Sequence, residues 1–326
     1  MSTDTARPLI TFAVVAYNQE RFIREAVEGA FAQTYSPLEI ILSDDCSQDN
    51  TFGIMKAMAS SYSGPHQVVL NRNRANLGIC PHISAVMERA RGELIVPAAG
   101  DDISLPNRTA ATYAVWAGCS RPDYLFFGLE VFSEDGSGTK RFVFDPETAT
   151  PLGMIRNCGM TLVAPAEAWH RRLFDVFGPL LPGVMTEDKN IAFRAALLGG
   201  VVYTSHPLVR YRIHGANISR DQRHDRPGRR RARARSLRWQ QARLQGFAHD
   251  LETAIHRGLL DEGQAAVLKG EIEAVSARLL WRLRCVEGGI IARIRAGLAL
   301  AAASRPSQRV TLRRRAGAMW RALRGV

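Results

Sequence analysis

The first hundred residues alternate short apolar runs with longer segments of helical spacing. Leu9–Ala16 is a β-branched, apolar run of strand length. Over Glu20–Gln33, the residues Phe22, Ile23, Ala26, Val27, Ala30 and Phe31 fall on one helical face. Leu38–Ser43 predicts a second strand that stops at Asp44-Asp45. Asp49-Asn50-Thr51 supplies capping residues for a helix over Thr51–Ser61. Gln67–Asn71 and Glu93–Ala98 predict two further strands, with a helix over Pro81–Ala90 between them. This rhythm predicts an α/β fold, a mostly parallel sheet flanked by helices. Such sheets bind ligands at the carboxyl ends of their strands. The polar clusters Tyr17-Asn18, Asp44-Asp45, Asn76-Leu77-Gly78 and Gly100-Asp101-Asp102 all fall at those ends.

The pattern changes after residue 120. Tyr124–Phe132 and Thr139–Phe144 read as strands around a turn at 134–138. Asp188–Leu198 reads as a helix closed by Gly199-Gly200, followed by short strands at Val201–Thr204 and Val209–Arg212. Composition breaks near Ser219, where Arg-rich sequence begins. Helical spacing then returns through Leu244, Phe247, Leu251 and Ile255, and again through Leu268, Ile272, Val275 and Leu279. The organisation expected is an α/β domain over 1–219 and a basic helical region over 220–326.

Charge sharpens that division. The net charge of the chain is +12, yet residues 220–326 hold 24 Lys and Arg against 9 Asp and Glu, leaving −3 for residues 1–219. Any anionic partner is therefore a matter for the C-terminal region. The five cysteines stand singly, without metal-site spacing, which fits a reducing, cytoplasmic setting. There is no signal-like start and no apolar stretch of spanning length. A nicotinamide dehydrogenase is disfavoured because no GxGxxG follows the first strand. A nucleotidyltransferase lacks the basic, Gly-rich phosphate loop it would need near the N-terminus.

Three acidic pairs carry candidate chemistry: Asp44-Asp45, Asp101-Asp102 and Glu187-Asp188. Singly, each is ordinary turn or cap chemistry. Together and in order they gain weight. The segments VVAYNQERFIREAVEGAFAQTYSPLEIILSDDCSQDNT, NRANLGICPHISAVMERARGELIVPAAGDDISLPNR, MTEDKNIAFRAALLG and YRIHGANIS resemble family 2 glycosyltransferases, over roughly residues 8–219.

The resemblance implies a GT-A fold, a nucleotide-diphospho-sugar donor (a UDP-sugar by family frequency), Mn²⁺ or Mg²⁺, and transfer with inversion. It implies that Tyr17 lies against the donor base, with Ala16 and Glu20 nearby, and that Asp44 or Asp45 accepts from the base. Asn76 and Gly78 would belong to the donor-binding loop. Asp101 would contact ribose or diphosphate, and Asp102 would bind the metal. Asp188, with Glu187 beside it, would be the general base. His214 would approach the metal or diphosphate, and Arg212 would help neutralise it. His82, after the Asn76-Leu77-Gly78 loop, reads as a structural histidine. The chain departs from the family where Ala99 replaces the first acid of the metal motif and where Ala16 replaces a Thr or Ser.

The expected product is a surface polysaccharide or glycolipid, made on a glycan or lipid-linked acceptor. The alternative is a catalytically silent, sugar-nucleotide-binding scaffold anchored by its basic tail. For that tail, attachment to an anionic membrane surface at the inner face of the plasma membrane fits the Arg and apolar residues of Val310–Val326. Helix pairing in a homodimer fits the Leu268–Leu279 stripe. Nucleic-acid binding is disfavoured, since no recognition motif accompanies the arginines.

Overall fold

The computed structural model describes residues 7–133, 140–141, 149–158, 166–215 and 229–287. Its strands are β1 (Ile10–Ala16), β2 (Leu38–Asp44), β3 (Gln67–Arg72), β4 (Leu94–Ala99), β5 (Ile103–Ser104), β6 (Tyr124–Ser133), β7 (Lys140–Arg141), β8 (Glu167–His170) and β9 (Val201–Ile213). The helices are α1 (Ile23–Phe31), α2 (Thr51–Ser61), α3 (Ile79–Arg89), α4 (Arg108–Gly118), α5 (Pro151–Arg156), α6 (Arg172–Phe177), α7 (Glu187–Leu198), α8 (Arg229–His256) and α9 (Glu262–Glu287).

The strands form one sheet in the order β3-β2-β1-β4-β8-β6-β9-β5, with β7 pairing with β6. Strands β3, β2, β1 and β4 run parallel, as their continuous apolar runs predict. Strand β8 is antiparallel to both β4 and β6, while β9 runs parallel to β6. The chain winds outward from β1 through β2 to β3, then returns to place β4 on the other side of β1. The switch point between β1 and β4 opens a crevice at their carboxyl ends. Glu39, fully buried in β2, is satisfied there by the Thr11 hydroxyl at 2.5 Å, Arg91 N–H at 2.6 Å and Arg91 Nε at 2.9 Å.

The two strands expected at 201–204 and 209–212 are one continuous strand, β9. Its register against β6 shifts around Gly128, which lies opposite Pro207. A Cβ at Gly128 would sit 2.3 Å from the Ser205 carbonyl, so only glycine admits this bulge. Of the strand expected at 139–144, Lys140 and Arg141 are described, and the turn at 134–138 lies outside the described residues.

Helices α8 and α9 form an antiparallel hairpin whose apolar residues join the same core as the sheet. Phe247 stacks on Phe193 of α7 at 4.1 Å between ring centroids. The buried Arg194 guanidinium donates to Asp250 at 3.0 Å and to the Gly178 carbonyl at 2.7 Å. The Leu268–Ile272–Val275–Leu279 stripe is buried within this chain. Its seam is intramolecular. Among the described residues no helix is long and apolar enough to cross a membrane.

Candidate active site

Three loops meet at the carboxyl ends of β1, β2 and β4. After β1, Tyr17 stands 42% exposed. Asn18 takes the left-handed conformation (φ 52°), which asparagine tolerates better than most residues. Its N–H donates to the Ser47 hydroxyl at 2.8 Å, and its side-chain oxygen accepts from Gln48 N–H at 2.8 Å. Glu20 and Asp49 bind each other's loop reciprocally. Glu20 N–H donates to Asp49 at 3.0 Å, and Asn50 N–H donates to Glu20 at 2.8 Å. The Ala16 carbonyl accepts from Asp45 N–H at 2.9 Å. The loops after β1 and β2 are therefore one braced unit, with Tyr17 on its open side.

Both acids of the Asp44-Asp45 pair are committed to the protein. Asp44, fully buried, accepts from the Ser47 hydroxyl and N–H and pairs with Arg72 Nε at 3.4 Å. Asp45 accepts from the Asn73 amide at 2.8 Å, Leu77 N–H at 3.0 Å and Gly78 N–H at 2.9 Å. Asp45 thus fastens the 76–78 loop to the end of β2. Gly78 opens α3 with φ 79°, a conformation glycine adopts without strain. The Asn76 side chain turns back to accept from Gly78 N–H at 2.9 Å. His82 is buried and bonded to the Ser43 hydroxyl at 2.7 Å, as expected of a structural histidine.

The acidic loop after β4 meets the end of β9. His214 Nε2 lies 2.9 Å from Asp101 Oδ2, and the His214 ring packs on Phe22 at 4.6 Å. Asp102 is more deeply buried. One of its oxygens accepts Arg212 N–H at 2.7 Å, and the other has no hydrogen-bond partner. Burial, then the neighbouring Asp101 charge, pushes the Asp102 carboxyl well above the usual range. The Arg212 guanidinium is itself engaged, donating to the Asp101 carbonyl at 3.0 Å and to Glu25 at 2.8 Å. It holds the acidic loop rather than pointing into open space.

The chemistry of the Asp101–His214 pair fits a divalent metal: a hard oxygen and an imidazole nitrogen converge at the crevice. Among the described residues, no group of three or more His, Cys, Asp or Glu side chains converges on a metal position. The remaining ligands would therefore come from substrate phosphate and water, the usual arrangement for Mg²⁺ or Mn²⁺.

Glu187 and Asp188 open α7, where the helix dipole favours negative charge. Burial, then the Asp188 charge, pushes the Glu187 carboxyl up to about 8. Glu167 of β8 is completely enclosed and pushed well up by burial, then by Asp188 and Glu187. The Tyr124 hydroxyl donates to it. On α8, buried Arg243 donates to the Thr186 hydroxyl at 2.8 Å and to the Cys158 carbonyl, fixing the entry to α7. Fully buried Arg108 joins the two acidic groups. It donates to the Ser104 hydroxyl at 2.9 Å, the Pro97 carbonyl at 2.6 Å and the Glu167 carbonyl at 3.2 Å. Burial lowers its pKa to about 9, while Asp102 and Glu167 act to raise it.

The structure therefore gathers Asp101, Asp102, Arg212 and His214 at one corner and Glu187 and Asp188 at another. Sequence reading gave no role to Arg108, Glu167, Arg243 or Glu25. Their roles depend on contacts 11 or more residues away in sequence, which no local pattern reports.

Comparison with known proteins agrees with this geometry. Residues 11–117 match the Glycosyl transferase family 2. An uncharacterized glycosyltransferase of Rickettsia felis is 25% identical over 226 residues, covering 65% of this chain and 35% of the relative. The putative glycosyltransferase EpsE of Bacillus subtilis is 29% identical over 165 residues, covering 50% of this chain and 58% of EpsE. The chain thus spans between about a third and three-fifths of these relatives. Among solved structures, S. aureus TarS 1–349 in complex with UDP-GlcNAc superposes with a TM-score of 0.53 at 17% identity, over 89% of this chain and 83% of that one. The mannosyltransferase PcManGT from Pyrobaculum calidifontis, in complex with GDP-Man and Mn²⁺, gives 0.53 at 19% identity, over 98% of this chain and 81% of that one. At these identities the likeness establishes the fold, which is the GT-A type.

Proposed function

We propose that this chain, which carries a family 2 glycosyltransferase domain over residues 11–117, transfers a sugar with inversion from a nucleotide-diphospho-sugar to an acceptor hydroxyl. The observation that carries the reading is a set of groups at the carboxyl ends of the parallel strands, with a second, acidic corner at the start of α7. Tyr17 is exposed on a braced loop, Asp101 is paired with His214, and an acidic pair opens α7. Tyr17 would lie against the donor base, and the Asp45-fastened 76–78 loop would flank the donor. A UDP-sugar heads the donors to test, since TarS was solved with UDP-GlcNAc; PcManGT, solved with GDP-Man, keeps guanine in the panel.

The pairing with His214 supports Asp101, rather than the more buried Asp102, as the carboxylate that holds Mn²⁺ or Mg²⁺ together with His214. When bound, the cation would neutralise the negative charge of the departing diphosphate. Asp102 would then act by fixing Arg212 N–H, and Arg212 by holding the Asp101 carbonyl.

An acceptor hydroxyl is a weak nucleophile until a positioned carboxylate removes its proton as the bond forms. Asp188 would be that base. Glu187 keeps its proton up to about pH 8 and so adds no second negative charge beside Asp188 at neutral pH. The α7 N-terminus, fixed by Arg243, holds the base in place. Surface polysaccharide or glycolipid assembly is the process this activity would serve, with a glycan or lipid-linked acceptor.

The test is release of nucleoside diphosphate from a panel of nucleotide sugars, with Mn²⁺, by the chain and by Asp188→Asn. Metal-dependent release from one donor class, lost in the variant, is the expected result. Ala99 at the first position of the metal motif favours the alternative, a silent sugar-nucleotide-binding scaffold. Nucleotide binding without release by the unaltered chain, whatever acceptor is supplied, would select it.

A further inference from the structure

The antiparallel hairpin brings two arginine-rich segments together. Helix α8 begins RRRARARSLR, six arginines with no acid, and α9 ends RLLWRLRCVE, three arginines and one acid. Contacts between Arg230 and the carbonyls of Val286 and Glu287, and between Arg238 and Glu287, join these ends. An open groove between them is lined by Arg230, Arg231, Arg235, Arg238, Val286 and Glu287. Its one carboxylate is already paired with Arg238. Four guanidinium groups line the groove against one carboxylate, an excess of positive charge that favours an anion.

The surroundings of the groove are apolar as well as basic. Ala232 and Ala234 complete its lining, Leu280 is 40% exposed, and the partly buried Trp239 and Trp281 lie on the same half of the hairpin. Arginine interleaved with tryptophan and aliphatic residues is the composition of a membrane interface. A surface for single-stranded nucleic acid would instead expose aromatic rings for base stacking. The chain continues through residues 288–326 with nine further arginines and no Asp or Glu.

We propose that the basic end of the α8–α9 hairpin docks on an anionic phospholipid surface, with headgroup phosphates seated in the Arg230–Arg238 groove. Arg243, which anchors the start of α7, lies thirteen residues beyond Arg230 on the same helix, about 20 Å along the axis at 1.5 Å per residue. Docking would hold the Glu187–Asp188 pair about that far from the headgroups, within reach of an acceptor itself anchored in the membrane. Vesicle binding is read without any donor, so its outcome is separate from the transfer reading.

The full chain is floated with phosphatidylcholine vesicles, alone or with about one-third phosphatidylglycerol. Binding is expected only to the anionic vesicles and is lost at high salt. Each arginine at an anionic surface contributes about a fivefold factor, so R230Q/R231Q/R233Q/R235Q should weaken partitioning by about 100-fold or more. Glutamine is a good helix former, so the variant should melt near the unaltered chain. Hydrogen exchange on the unaltered chain gives a reading independent of that variant. Vesicles should protect 229–238 and 278–287. Three results would overturn the proposal: variant binding equal to the unaltered chain, protection confined to 288–326, or binding to duplex DNA with none to anionic vesicles.

Discussion

Replacing Glu187 by glutamine tests whether the acidic pair holds a proton at neutral pH. In the folded chain, burial and Asp188 raise the Glu187 carboxyl to about 8, against 4.5 for the ordinary group. Between those values the unfolded chain releases this proton and the folded chain keeps it. Folding stability from this group is thus full below pH 4.5 and is lost as pH rises toward 8. The slope is about 1.4 kcal/mol per pH unit, so the unaltered chain loses about 3 kcal/mol between pH 5 and 7 from Glu187 alone. A glutamine side chain at this position has no proton to lose, and it keeps the shape of the neutral acid. Asp102, which Glu187 does not perturb, titrates alike in both proteins and cancels in the difference. Glu167 is raised partly by the Glu187 charge, so removing that charge reduces its shift and acts in the same direction. Urea unfolding at several pH values reads the effect directly. Relative to the unaltered chain, E187Q should gain about 3 kcal/mol between pH 5 and 7. A stability difference that stays constant with pH would refute the protonation assigned to Glu187.

Further consequences follow from other contacts. Asp188→Asn should keep the fold and nucleotide binding while lowering transfer by about 10²–10⁴-fold, measured as kcat with saturating donor. Arg194→Ala strands the buried Asp250 and should cost about 3–5 kcal/mol in urea unfolding, most of it recovered in Arg194→Met/Asp250→Leu. Asp45→Asn places an amide donor against donors from Asn73, Leu77 or Gly78. It should lower stability by about 1–3 kcal/mol and weaken nucleotide binding, as read by calorimetry.

The parallel half of the sheet was legible because β1, β2 and β4 are buried on both faces and read as unbroken apolar runs, with the half-buried edge strand β3 beside them. Strands β1 and β2 and helix α2 lie within a residue of their expected bounds. Strand β8 and helix α4 carry no such signal. Glu167–His170 is short and holds a buried acid whose partner, Tyr124, is 43 residues away in sequence. The paired strand signals at 201–204 and 209–212 were separated by Ser205–Leu208, where a bulge that needs Gly128 opposite lets the strand continue. The Leu268–Leu279 stripe suits an intrachain seam as well as a subunit seam, and only the packing of α8 decides between them. In the candidate site, the family resemblance gave Asp101 to ribose or diphosphate and Asp102 to the metal, without reporting what either acid touches. Their difference lies in partners more than a hundred residues away, His214 for one and Arg212 N–H for the other.

In the proposed function, a metal on Asp101 and His214 completes the nucleotide site. Calorimetric titration of UDP and GDP, with and without Mn²⁺, into the chain and into Asp101→Asn tests it most directly. Mn²⁺ should tighten binding of one nucleotide by about tenfold or more, a coupling of about 1.4 kcal/mol, and Asp101→Asn should abolish the tightening. Equal affinity with and without metal, or tightening that survives in Asp101→Asn, would contradict it.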